Sequence, residues 1–330
     1  MRYLPIVTLL LVAGCRMDWP YRPIEECDNL EGVPIYPDPW YSRDLYVDPW
    51  YMNPLFNPNN PHELLLSRTI NQPLSLYGIH KLNLLTGELT PELFQLKTPY
   101  KMSWSVSDWI AFGGMYPYHM YRVKSNGDSL TAMATLGSSF HPDWSNDGKL
   151  LLMFTDRDPS TGTGRRVIVV DFLGTDLDTL VGMLPVAKWG PGDSTIAFKP
   201  STGTRAGLGL HQYPNTDSLR YVHAGIDWEA VSLYSSAFSP VAPLFFWTGG
   251  VGGQSSIHCT DFESGISYLV KQGCKNRRYL VTDVSPDGQW LATNRTEFTP
   301  DYENNRYIVR NRIVLMRTDG SDEHVVWPLE

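Results

Sequence analysis

The chain has 330 residues, 42% apolar and 19% charged, with a formal net charge of −8. That length is enough for one large core, and the negative balance excludes a general nucleic-acid binder, which needs a basic face to displace counterions. An aromatic fraction of 12%, with 27 Gly and 25 Pro, suits short strands and many turns better than helices.

At the N-terminus, Met1-Arg2 gives a minimal basic start and Tyr3 to Val12 a short apolar run. Ten apolar residues cannot cross a hydrocarbon core of roughly 30 Å, so residues 1–14 are expected to be a secretory signal. Val12-Ala13-Gly14-Cys15 then sets small residues directly before a cysteine. These four positions resemble the bacterial lipobox, whose thiol receives diacylglycerol. The resemblance implies a mature chain that begins at Cys15 and is held by lipid to a membrane of the cell envelope, periplasmic or surface-facing. No later stretch approaches 18 apolar residues, so lipid would be the sole anchor.

Residues 15–54 form a proline-rich tether with eight Trp or Tyr residues and a near-repeat, Asp38-Pro39-Trp40-Tyr41 and Asp48-Pro49-Trp50-Tyr51. One reading makes Trp40, Tyr41, Trp50 and Tyr51 a stacking platform for a glycan or a protein, because aromatic faces carry large contact area at low entropic cost. The other makes the segment a strap packing its rings on the main body. The general tendency of aromatics to be buried favours the strap.

From residue 55 to 330 one pattern recurs six times. A large residue heads each unit, at Phe56, Trp104, Trp144, Trp189, Phe238 and Val284, separated by 48, 40, 45, 49 and 46 residues. A small or polar residue and usually a turn former follow, then an apolar strand such as Leu150–Phe154, then an alternating strand such as Arg312–Met316. A tight turn closes the unit, as at Thr86-Gly87 or Asp319-Gly320, where glycine supplies positive φ. One four-stranded sheet cannot bury both faces, so six copies are expected to stack into a closed ring. The expected fold is all-β: a six-bladed β-propeller of four-stranded antiparallel blades, with the six head residues packing between blades.

Trp144-Ser145-Asn146-Asp147-Gly148-Lys149 and Val284-Ser285-Pro286-Asp287-Gly288-Gln289 resemble the W-S-P-D-G-K repeat of TolB-type propellers, strongly in these two units and in degenerate form in four. The resemblance implies the six-bladed propeller of that family. The family's α/β domain has no counterpart in residues 16–54, which are too few and too proline-rich.

Candidate chemistry is sparse. No G-x-S-x-G elbow or H-E-x-x-H pair occurs, and no metal or cofactor is expected. His80, His211 and His258 fall on third strands of their units, as sheet residues. The loop Asp156–Gly162 is oxygen-rich but lacks EF-hand spacing. Asp143, Asp147, Asp283 and Asp287 fall at blade-head turns, where Asp caps its own backbone. Cys259 and Cys274 are close enough in sequence to bridge one blade to the next, and incidental thiols fit equally well. These readings favour a non-enzymatic binding or scaffold propeller of the envelope with a protein or glycan ligand. The alternative is a polysaccharide lyase or hydrolase with a metal in its funnel.

Overall fold

The computed structural model describes residues 25–31, 33, 44–47, 49–70, 76–97, 101–113, 119–133, 139–155, 166–180, 183–200, 208–215, 219–222, 231–249 and 255–328. Cys15, Trp40, Tyr41 and the loop Asp156–Gly162 lie outside them.

The described residues form six sheets, one per blade, each of four antiparallel strands consecutive in sequence, and the sheet of blade 6 gains a fifth, parallel strand from the N-terminal segment. Blade 1 comprises Tyr51–Asn57, Asn60–Ile70, Leu76–Asn83 and Phe94–Lys97. Blade 2 comprises Met102–Trp104, Trp109–Gly113, Met120–Lys124 and Thr131–Ala132. Blade 3 comprises Ser139–Trp144, Leu150–Thr155, Arg166–Asp171 and Asp176–Leu180. Blade 4 comprises Met183–Trp189, Thr195–Pro200, Leu208–Gln212 and Leu219–Val222. Blade 5 comprises Val231–Phe238, Leu244–Gly249, Ser256–Asp261 and Ser267–Lys271. Blade 6 comprises Arg277–Val284, Trp290–Asp301, Arg306–Arg317 and His324–Trp327. Blade 1 thus opens at Tyr51, inside the segment read as tether.

Six apolar clusters hold the ring, one at each seam between neighbouring blades. Strand alternation explains how one sheet serves two seams. In the second strand of blade 3, Leu151 and Met153 face blade 2, while Leu152 and Phe154 face blade 4. A strand buried on both sides reads as a continuous apolar run, and Leu150–Phe154 is such a run.

The ring has two unlike faces. The turns between first and second strands, and between third and outer strands, share one face. The opposite face carries the turns between second and third strands and the links from blade to blade. On the first face, the Ser145 hydroxyl accepts the Leu150 N–H at 2.9 Å and donates to Asp147 at 2.8 Å, and Gly148 takes φ 72°. Blade 6 repeats the device, the Ser285 hydroxyl accepting the Trp290 N–H at 2.9 Å and donating to Asp287 at 2.5 Å, with Gly288 at φ 72°. Only glycine adopts that region without strain. A Cβ at Gly288 would also run into Val241 of the neighbouring turn.

The N-terminal segment docks on blade 6, not on the blade 1 that follows it. Leu45–Tyr46 pairs in parallel with Ile308 and Val309, and Asp44 accepts the Tyr307 N–H at 3.1 Å. Further upstream, Asn276 accepts the Asp28 N–H at 2.7 Å and donates its side-chain amide to the Glu25 carbonyl at 3.0 Å. Cys27 forms a disulfide with Cys274, their Cα atoms 5.5 Å apart. This corrects the pairing of Cys259 with Cys274: Cys259 is a buried free thiol inside the cluster between blades 5 and 6. Its strand position faces that core, whereas Cys274 sits on the link between the two blades, within reach of the strap.

Candidate functional site: the axial mouth

All six head residues, Phe56, Trp104, Trp144, Trp189, Phe238 and Val284, line a single cavity of about 240 Å³. Each sits at the end of its blade's inner strand, so the six-fold repeat delivers them to one point on the turn face. Five are buried; Phe238 alone is half-buried. It packs against Phe245 and Phe262 at centroid distances of 5.3 and 5.1 Å. The rim includes Pro58, Val106, Asn146, Pro240 and Pro286, which follow the head residues in their turns.

A second ring is made by the residues just before the heads: Leu55, Ser103, Asp143, Lys188, Ala237 and Asp283, all lining the same cavity. Register shifts at Met52/Leu55, Phe140/Asp143, Met183/Ala187, Ser232/Ser236 and Val281/Asp283 place a bulge beside this ring in five of the six inner strands. Bulges re-aim side chains, and here they recur at the step before the axis.

Polar members of the second ring stitch a blade to its successor. The Ser103 hydroxyl accepts the Trp144 N–H at 3.0 Å. One Asp143 oxygen accepts the Trp189 N–H at 2.7 Å and the other meets Lys188 Nζ at 2.5 Å. One Asp283 oxygen accepts the Phe56 N–H at 2.8 Å, the other its own neighbour's, Val284, at 2.9 Å. Asp147 and Asp287 do cap their own turns, but Asp143 and Asp283 reach across seams, which corrects the local capping expected for them. Their inner-strand position, one residue before the turn, points them at the next blade.

Burial dominates the electrostatics. It pushes the Asp283 carboxyl up to about 7, against the two backbone N–H groups and Lys188, which favour the anion. It pushes Lys101, just ahead of blade 2, down to about 7, with Lys188 adding to the shift. It takes His141 of blade 3 down to about 3, helped by Lys101 and Lys188. Burial thus brings the Asp283 carboxyl and the Lys101 ammonium toward neutrality from opposite directions, both within electrostatic reach of Asp143 and Lys188.

The remaining sequence candidates fall elsewhere. Tyr51, proposed for ligand stacking, is a core residue at 3% exposure, its ring edge-on to Trp327 at 5.9 Å; as the first residue of an inner strand it faces the seam, not solvent. Trp50 is half-buried and meets Tyr46 edge-on at 5.2 Å. His211 and His258 stack on Phe198 and Trp247 at 5.0 and 4.4 Å. Among the described residues, no three His, Cys, Asp or Glu side chains converge as a metal site. Lys101, His141 and Lys188 were not singled out from the sequence. Reading down the column before the heads would have found Lys188, because Ser103, Asp143 and Asp283 share it.

No family model and no curated protein matches the sequence. Solved structures do. TolB from Acinetobacter baumannii superposes with a TM-score of 0.52 at 14% identity, over 68% of this chain and 56% of that one, so the match spans little more than half of that TolB. A putative TolB from Agrobacterium tumefaciens gives 0.55 at 14% identity, over 74% and 86%. The propeller domain of the Trilobed protease from Pyrococcus furiosus, described as having an open velcro topology, gives 0.52 at 10% identity, over 85% and 98%. At these identities the likeness is one of fold, and the chain forms a TolB-like six-bladed β-propeller.

Proposed function

We propose that this protein is a non-enzymatic binding propeller of the bacterial cell envelope, anchored by lipid on Cys15, whose protein or glycan ligand engages the axial mouth. One observation carries the reading: the head residues of all six blades converge on a single small cavity. Its size suits one or two inserted side chains or a single sugar ring, and its lining mixes aromatic head residues and prolines with polar groups such as Asn146, Asp143 and Lys188, a pattern of recognition sites. The charged groups around it serve as an ion pair and as acceptors of backbone N–H groups, not as a nucleophile with a poised base. Envelope localisation rests on the lipobox at residues 12–15 and accords with the TolB-like fold.

The test is a pull-down of the lipidated protein from solubilised envelope membranes, comparing wild type with Val106→Glu. Val106 is 37% exposed at the rim, so a charge there leaves the fold intact. A stoichiometric partner should be captured by wild type and at least tenfold less by V106E. Equal capture would move the ligand off the mouth. Turnover of an envelope glycan, peptide or acidic polysaccharide by the purified protein would overturn the non-enzymatic reading.

A further inference from the structure

We infer that the cleft between blades 4 and 5 on the turn face is a second binding site, which takes an arginine side chain from a peptide segment of a protein partner. The cleft has a volume of about 610 Å³, within the range of ligand pockets, and it shares only Phe238 with the axial mouth. The inference goes beyond the mouth and stands whichever ligand the mouth takes.

The repeat shows why this seam is open. Trp109 and Thr195 each begin the second strand of a blade, opposite Lys124 and Gln212 of the third. Two residues earlier on those third strands, Arg122 and Leu210 hold equivalent positions. Phe172 and Phe262 are equivalent as well, each following the last residue of a third strand. At the seam between blades 2 and 3, Trp109 meets Phe172 edge-on at 5.3 Å. The Arg122 guanidinium lies 3.8 Å from the centroid of the Phe172 ring and donates to the Phe172 carbonyl. At the seam between blades 4 and 5, Thr195 and Leu210 take the places of Trp109 and Arg122, and both line the cleft beside Phe262. One seam is thus filled by an indole and a guanidinium, and its counterpart on the same scaffold is not.

What the cleft offers matches a guanidinium brought in from outside. Half-buried Phe238 supplies an aromatic wall, a surface on which arginine stacks favourably. The Phe262 carbonyl, counterpart of the one that Arg122 reaches, accepts no hydrogen bond among the described residues. Glu263 follows it where blade 3 has Leu173. Its carboxylate is exposed at the cleft, makes no ion pair among the described residues, and gives a guanidinium a charged acceptor. Arg220, on the outer strand of blade 4, lines the same cleft and is likewise exposed and unpaired among the described residues. The cleft therefore runs from Phe238 on an inner strand to Arg220 on an outer one. Three strand spacings make that roughly 14 Å, about four extended residues. A separation of that order exceeds the Debye length of about 8 Å, so Arg220 does not oppose a cation held at Phe238. With an anion on one wall and a cation on the other, the complementary ligand carries both signs, as a peptide does with an acidic residue near its arginine. A neutral glycan carries neither, and a uronate chain only the sign that Glu263 repels.

The test titrates the full-length protein into a fluorescein-labelled, end-blocked peptide, Gly-Ala-Arg-Ala-Glu-Gly, and reads anisotropy. Saturable binding with a Kd on the order of 0.1 mM is expected. Citrulline in place of the arginine keeps the shape and removes the charge, and it should weaken binding at least tenfold. Glu263→Gln should weaken binding of the original peptide to a similar extent. T195W/L210R rebuilds the filling of the other seam and should abolish binding. Glu263→Gln changes one exposed side chain and carries the test on its own if the double variant fails to fold. Binding that is indifferent to citrulline, or equal in wild type and Glu263→Gln, overturns the inference. So does the lack of saturable binding up to about 1 mM protein. Displacement of the peptide by a glucuronate oligomer would assign the cleft to a glycan and overturns it too.

Discussion

The seam between blades 3 and 4 and the seam between blades 6 and 1 close the same ring by different means. At the first, the chain passes directly from one blade to the next. Leu152, Phe154, Val169, Trp189 and Phe198 fill the interface, and the polar bonds gather at the turn face, where Asp143 accepts the Trp189 N–H and meets Lys188 and Asp193 accepts the N–H groups of Asn146 and Asp147. At the second, blade 6 does not run on into blade 1, and the chain crosses only as the strap, from Leu45–Tyr46 on blade 6 to Tyr51. Tyr51, Phe56, Leu64 and Leu66 still meet Ala292, Ile313 and Leu315, but here polar bonds reach into the buried interior of the seam. Asp283 holds the Phe56 N–H, Asn294 accepts the Asn53 N–H at 3.0 Å, and the side-chain amides of Asn294 and Asn311 both donate to the Tyr51 carbonyl. Apolar packing drives both seams together, but it is non-directional. Where covalent continuity is missing, buried polar bonds and the strap's disulfide supply register.

That contrast can be broken most strongly at the continuous seams. Trp144→Ala, at the junction of blades 2 and 3, should cost about 3–5 kcal/mol through lost burial and the cavity left behind, read by urea denaturation. Its hydrogen-exchange change should centre on those blades. Removing the bridge with C27S/C274S should cost about 2–4 kcal/mol, with faster exchange concentrated in Tyr51–Asn57 and Arg277–Val284 and blades 3 and 4 little altered. Uniform acceleration around the ring would mean that the strap is not a closure of the 6/1 seam. Asn311→Ala should cost about 1–3 kcal/mol, because it deprives the buried Tyr51 carbonyl of a partner.

The smallest effect sharpens the comparison by pH. Burial raises Asp283 from the ordinary carboxylate range to about 7, so folding favours its neutral form. The associated stability is complete below about pH 4 and is lost as pH rises through 7. Asp283→Asn removes this component. The difference in thermal midpoint between wild type and D283N should therefore move in the variant's favour from pH 4.5 to 8. His141, pushed down to about 3 by burial, gives a slope of opposite sign below its ordinary range, and it cancels in that difference. A flat difference would show that Asp283 ionises freely at the seam.

The six blades were legible in the sequence because each second strand is buried on both faces, leaving runs such as Leu150–Phe154 and Leu244–Trp247 at blade spacing. The turn glycines marked the edges, since positive φ leaves a residue signature. The site was legible only in part. The head residues announce themselves by size, whereas Lys188 and Asp283 look like ordinary turn neighbours until the bulges swing them to the axis. Asp143 was read as a local cap because nothing in its own turn reveals the Trp189 N–H of the next blade. The Cys27–Cys274 pair was illegible for a related reason. Its members are 247 residues apart, and only closure of the ring brings them together.

One further consequence lies in the way the four antiparallel strands of every blade are drawn from a contiguous stretch of chain. Cutting the polypeptide at any inter-blade link, and joining the end of blade 6 to the start of blade 1, would leave all six sets of four antiparallel strands undivided and detach only the strap strand Leu45–Tyr46. The molecule is thus modular, with blades as interchangeable beads and the position of the termini a matter of bookkeeping. What could not be moved is the strap, because its described partners belong to blade 6 and the link that leads into it. Among otherwise equivalent modules it is the feature that gives the ring a first and a last.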